Sequence, residues 1–131
     1  MIDSIIVSPI VHMITGSLVL LTSLIAAFLI GRRAWKQQPI SKSGRIAFIA
    51  AQLALILQLL VGVKLLDQGF GNFQLYIHYI GGMAPLAFFL LYYWKPLQDQ
   101  LKQTWAATAV TTLAFVFAFM TFVIGSMYVP G

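Results

Sequence analysis

Residues 8–30 read SPIVHMITGSLVLLTSLIAAFLI, and residues 31–36 follow as GRRAWK. The first string holds no Asp, Glu, Lys or Arg, and it exceeds the about 20 apolar residues needed to cross a bilayer. The second string breaks it with glycine and delivers cationic residues at once. This pairing of a long apolar run with a basic stop is the signature of a transmembrane helix and its cytoplasmic edge.

Three further segments repeat the pattern. They cover residues 46–66, 75–94 and 106–127. Asp67-Gln68-Gly69-Phe70-Gly71-Asn72 separates the second from the third, Lys95-Pro96 stops the third, and Pro130-Gly131 follow the fourth. Irregular backbone facing lipid leaves polar groups unpaired, so each segment is expected to be helical. The composition agrees. Of 131 residues, 60% are hydrophobic and 8% charged, against about 25% charged in soluble domains. The fold class expected is all-α integral membrane, a single domain over residues 1–131. Short connections make sequential neighbours antiparallel, in an up-down-up-down four-transmembrane-helix bundle with helices one and three diagonal across the core.

The formal net charge of +5 does not indicate nucleic acid. Five basic residues (Arg32, Arg33, Lys36, Lys42 and Arg45) crowd into the first loop region, and Lys95 and Lys102 flank the third. The second has only Lys64. By the positive-inside bias, loops one and three face the cytoplasm and both termini are extracytoplasmic, as in a bacterial inner membrane protein. Trp35, Trp94 and Trp105 fall at the inner boundary, while Tyr76, Tyr79 and Tyr128 fall toward the outer one. The first residues lack a basic n-region, so the opening helix reads as retained rather than as a cleaved signal. With no cysteine in the chain, disulfides, thiolate zinc and cysteine-ligated clusters are excluded.

A short motif recurs. Val11-His12-Met13-Ile14-Thr15-Gly16 and Ile77-His78-Tyr79-Ile80-Gly81-Gly82 both read apolar-His-x-Ile-x-Gly. The bundle is therefore readable as two repeated helical hairpins related by an axis along the membrane normal.

The two histidines are the only ones in the chain, and both lie within apolar spans. At ~1.5 Å per residue, His12 stands ~28 Å above Gly31 and His78 ~24 Å above Trp94. Both are in the outer third, at matching depth on diagonal helices. An imidazole in hydrocarbon needs a partner, because an unpaired buried polar group costs several kcal/mol. The bland partner is a hydroxyl or carbonyl on a neighbouring helix. The alternative is joint ligation of one metal centre by His12 and His78. Haem iron takes two axial ligands on opposite faces, and helical bundles offer such sites. Glycines occur near the same level on every helix: Gly16, Gly62, Gly81 with Gly82, and Gly125. They make room either for a porphyrin or for close helix contact. Lys64, Asn72, Gln74, Tyr76 and Tyr128 are candidate partners for haem propionates, and Lys64 equally suits a snorkelling role. Copper is disfavoured, because Met13 and Met83 diverge from the adjacent histidines around the helix.

On His12, Gly16, His78 and Gly82, set in four short-looped spans, the chain resembles small four-helix b-type membrane cytochromes. It is also similar in layout to oxidase-associated four-helix membrane proteins. The resemblance implies one b-type haem (heme b), bis-histidine ligated near the extracytoplasmic face, serving electron transfer or a respiratory or photosynthetic complex. The expected partners are membrane lipid, other membrane subunits, and a quinol or extracytoplasmic electron carrier. The alternative is a non-catalytic accessory or assembly subunit without haem. Asp3, Asp67 and Asp99 are the only acids, all outside the spans, which disfavours a proton relay. Gln52 and Gln58 read as interhelical hydrogen-bond partners. No nucleophile–base pair, phosphate loop or carboxylate pair suggests a stand-alone enzyme.

Overall fold

A computed structural model describes residues 6–69, 76–94 and 96–127. Four helices account for nearly all of them: α1 (Pro9–Trp35), α2 (Lys42–Asp67), α3 (Tyr76–Trp94) and α4 (Gln100–Met127). Local chemistry sets their starts. Ser8 caps α1, its hydroxyl accepting from Ile10 N–H, and Pro9 occupies the first turn where no amide partner is lost. Ser41 caps α2 through Gly44 N–H at 3.0 Å. Asp99 accepts from Leu101 N–H at 2.8 Å ahead of α4.

These caps lie outside the apolar runs. Accordingly α2 begins at Lys42 rather than residue 46, and α4 at Gln100 rather than 106. Arg32, Arg33, Lys42, Arg45 and Lys102 therefore ride on helix ends instead of in loops. Lys95 lies outside the described residues. By length and composition, α1, α2 and α4 are each apolar enough to cross a membrane. The shorter α3 contains Pro85, which is fully buried.

Helix α1 packs against α2 and α4, and α3 packs against α4 and more thinly against α2. The backbones of α1 and α3 do not approach one another, so they are diagonal. Level pairs fix directions. Gly16 meets Phe122 and Gly31 meets Thr108, so α1 runs antiparallel to α4; Gly16 meets Gln58 and Ile30 meets Gly44, so it also runs antiparallel to α2.

The distribution of side chains is inverted relative to a soluble bundle. Small residues such as Ala26, Ala34, Ala107 and Ala114 fill the interior, whereas Leu21, Phe28, Leu53, Leu60, Leu90 and Leu91 point outward. Close approach through small residues and apolar surface outside is how helices associate in lipid. Two buried hydroxyls are satisfied within their own helices: Ser23 donates to Val19 O at 2.6 Å and Thr111 to Ala107 O at 2.8 Å.

Candidate functional site

The end of the bundle away from Arg32, Arg33, Lys42, Arg45 and Lys102 carries both histidines. His12 sits one turn into α1 and His78 in the first turn of α3. Their helices are diagonal, yet the imidazoles reach each other at the bundle axis. The ring centroids are 6.4 Å apart and the planes cross at 71°.

Each ring is held by the helix that follows its own in the chain. On the first side, Gln58 of α2 reaches across to α1. Its Nε2 lies 3.4 Å from His12 Nε2. An amide nitrogen only donates, so His12 Nε2 accepts with its lone pair and the ring proton resides on Nδ1. Thr15 donates its hydroxyl both to Gln58 Oε1 and to the His12 carbonyl, the latter at 3.1 Å. His12 Nδ1 is buried and has no hydrogen-bond partner among the described residues. Gly62 lies against this ring; a Cβ there would stand 3.1 Å from His12 Cε1.

On the second side, His78 Nδ1 donates to the Thr121 carbonyl of α4 at 3.0 Å. The Nε2 lone pair is thereby exposed for a ligand. A backbone carbonyl on the distal nitrogen is the usual device for orienting a metal-binding imidazole. Gly81 packs so closely on Thr121 that a Cβ would overlap the hydroxyl, and Gly82 faces Thr121 Cγ2. Pro85 has no amide proton, so the Gly81 carbonyl has no in-helix donor four residues on. The buried Thr121 hydroxyl, packed on Gly81, has no hydrogen-bond partner among the described residues.

The structure thus brings His12, Gly16, Gly62, His78, Gly81 and Gly82 together at one level. Gly16 faces Gln58 and Phe122, so the glycines on this level admit polar side chains crossing between helices. Lys64 pairs with Asp67 at 3.3 Å in the last turn of α2. Gly125 belongs to α4, and its surroundings lie outside the described residues, as do Asn72, Gln74, Tyr128 and the side chain of Tyr76. Met13 and Met83 point outward and leave the histidine pair. Among the described residues no three His, Asp or Glu side chains converge.

Thr15 and Thr121 were not legible as site residues from sequence. The available signal was their spacing: Thr15 follows His12 by one turn, and Thr121 stands on the α4 face opposite Gly81. No family model matches the chain, and neither a curated protein nor a solved structure matches it.

Proposed function

We propose that this chain is a four-span membrane protein that binds one b-type haem between α1 and α3, with His12 and His78 as axial ligands. The observation that carries the reading is the separation of the two imidazoles, 6.4 Å between ring centroids. Metal–imidazole bonds of ~2.0–2.1 Å on opposite faces of one ion put ring centres about 6 Å apart. The donor chemistry also fits. His78 has its tautomer set by the Thr121 carbonyl, with Nε2 free. His12 offers a neutral imidazole whose lone pair is engaged only by an amide.

Bound haem would supply reversible one-electron chemistry. The chain's own residues do the rest. Thr121 fixes the His78 ring, and Gly62 lets the His12 ring lie directly against α2. Gln58 holds the His12 lone pair until a ligand takes it and must then turn away. Lys64, near the same end, is the candidate cation for a propionate. Held by both imidazoles, the group would serve electron carriage rather than oxygen chemistry. With one site near one end, the chain would exchange electrons laterally with a quinol, an extracytoplasmic carrier or a partner subunit.

Helix α3 is assigned as the fourth span on two grounds. Its 19 residues extend ~28 Å, close to the ~30 Å hydrocarbon thickness. Ile80, Met83, Leu90 and Leu91 face outward along it.

The test is an optical spectrum of detergent-purified protein, oxidised and then dithionite-reduced, with His12→Ala and His78→Ala beside it. A sharp reduced b-type band absent from both variants is expected. A colourless wild type under full haem supply would sink the reading. The second reading, a haem-free accessory subunit, is favoured by one observation: both imidazoles already have partners within the bundle, Gln58 and the Thr121 carbonyl. In that case the histidines act as interhelical bridges, and the apolar exterior meets other subunits.

A further inference from the structure

At the basic end of the molecule two hollows share Tyr92 and Tyr93 of α3. The first, about 150 Å³, opens in the thin contact between α2 and α3 and is lined by Ile40, Arg45, Phe48, Ile49 and the two tyrosines. The second, about 320 Å³, lies on the α4 side of the tyrosines and is lined by Leu91, Pro96, Leu97, Gln103 and Ala106. The walls are apolar and aromatic. Phe48 is buried and forms the floor, packed edge-on to Phe89 at 5.3 Å and tilted against Tyr92 at 5.0 Å.

The mouth is cationic. Arg45, in the first turns of α2, is exposed and lines the first hollow. Among the described residues the sole ion pair is Lys64 with Asp67, at the opposite end of α2. The remaining described acid, Asp99, accepts the amides of Leu101 and Lys102. Arg45 therefore faces the hollow without a carboxylate. Tyr93 lines the same hollow, and its hydroxyl accepts from Gln52 Nε2 at 2.8 Å, which orients the phenol and leaves its O–H free to donate. A guanidinium fork and a phenolic donor above an apolar trough match a phosphate joined to an acyl chain. Basic pockets between membrane helices at the positive end take such headgroups.

We propose that the α2–α3 seam is a binding site for an anionic glycerophospholipid of the leaflet at the basic end. Arg45 and Tyr93 hold the headgroup phosphate, and one acyl chain lies over Phe48 and Ile49. A lone phosphate gains nothing from the apolar trough. The site rests on membrane insertion of the chain and is independent of the histidine pair.

The test is native mass spectrometry of the full chain released from detergent, titrated with phosphatidylglycerol or phosphatidylcholine of identical acyl chains. Wild type is expected to retain phosphatidylglycerol preferentially, as one bound molecule. Arg45→Gln should weaken that retention about fivefold, the worth of one cation near an anionic headgroup. Tyr93→Phe should weaken it less, and Arg32→Gln, a cation at the same end but outside the seam, should leave it unchanged. Equal retention of the two lipids would overturn the proposal. So would equal losses in Arg45→Gln and Arg32→Gln, displacement by chain-free glycerophosphoglycerol, or a lipid-free dimer that disappears in Arg45→Gln.

Discussion

The imidazoles of His12 and His78 meet edge to face, 6.4 Å between centroids and 71° between planes, although the helices carrying them do not touch. Side chains alone bridge the diagonal. Each ring is steadied from a different helix, His12 by Gln58 and His78 by the Thr121 carbonyl. The pair is therefore a four-helix construction, and the Nε2 lone pairs of the two rings differ in availability.

That difference gives the first prediction. Gln58 donates to the lone pair of His12 that a metal would take, so the amide competes with the ligand. Its net worth is that of one hydrogen bond, about 0.5–1.5 kcal/mol. Gln58→Leu keeps the bulk and removes the donor. Haem titration of the apoprotein should show tighter binding, roughly two- to tenfold. Weaker binding would mean that Gln58 positions the ring rather than competing for it.

The second prediction concerns the α3–α4 contact. A Cβ on Gly81 overlaps the Thr121 hydroxyl, while Thr121 Cβ and Met120 Cε remain at 3.6 and 3.4 Å. Gly81→Ala should destabilise the protein by about 1–3 kcal/mol, the range for overpacking. Thr121→Ala in the same chain removes the overlapping atom and keeps the carbonyl that His78 uses. Thermal unfolding in detergent should show the double variant more stable than Gly81→Ala alone. Additive losses would place the strain elsewhere.

Much of this was legible in the sequence, for a physical reason. Hydropathy reports the solvent, so the apolar runs gave the number of helices and their order around the ring. It does not report the backbone, and the caps at Ser41 and Asp99 carry α2 and α4 past the hydrocarbon limits. The histidine pair was legible because both residues share a depth and a turn of helix. Gln58 and Gln52 were legible as crossing residues, since an amide in lipid must find another helix; they reach His12 and Tyr93. The role of Thr121 was hidden because its contribution is a main-chain carbonyl, which no residue type announces. The α2–α3 hollow was equally hidden, because it depends on which of the neighbouring helices around the ring pack least.

Two helix ends offer a third prediction. Gln37, just past α1, has φ of 57°, whereas Gly69, just past α2, has φ of 92°. Both close the last turn in the left-handed region, and Gln38 N–H caps Arg33 O at 2.8 Å. A side chain there costs about 1 kcal/mol relative to glycine. Gln37→Gly should raise the unfolding temperature, and Gly69→Ala should lower it. Opposite signs from one chemical difference separate backbone strain from lost contacts; equal signs would refute the conformational account.

The fourth prediction decides the topology. The chain has no cysteine, so single cysteines report without background. Gln38 lies between α1 and α2, Asp67 ends α2 and is exposed, and Leu97 lies between α3 and α4. If α3 crosses the membrane, Gln38→Cys and Leu97→Cys share one side and Asp67→Cys the other. A membrane-impermeant maleimide added to intact cells should label Asp67→Cys alone, as the positive-inside bias predicts for a chain with its cations at the other end. Labelling of Leu97→Cys together with Asp67→Cys would mean that α3 does not span. The helix would then lie at the interface, and His78 could no longer share a level with His12. The topology and the ligand pair therefore stand on the same measurement: only a crossing α3, parallel to α1, holds the two imidazoles at one depth.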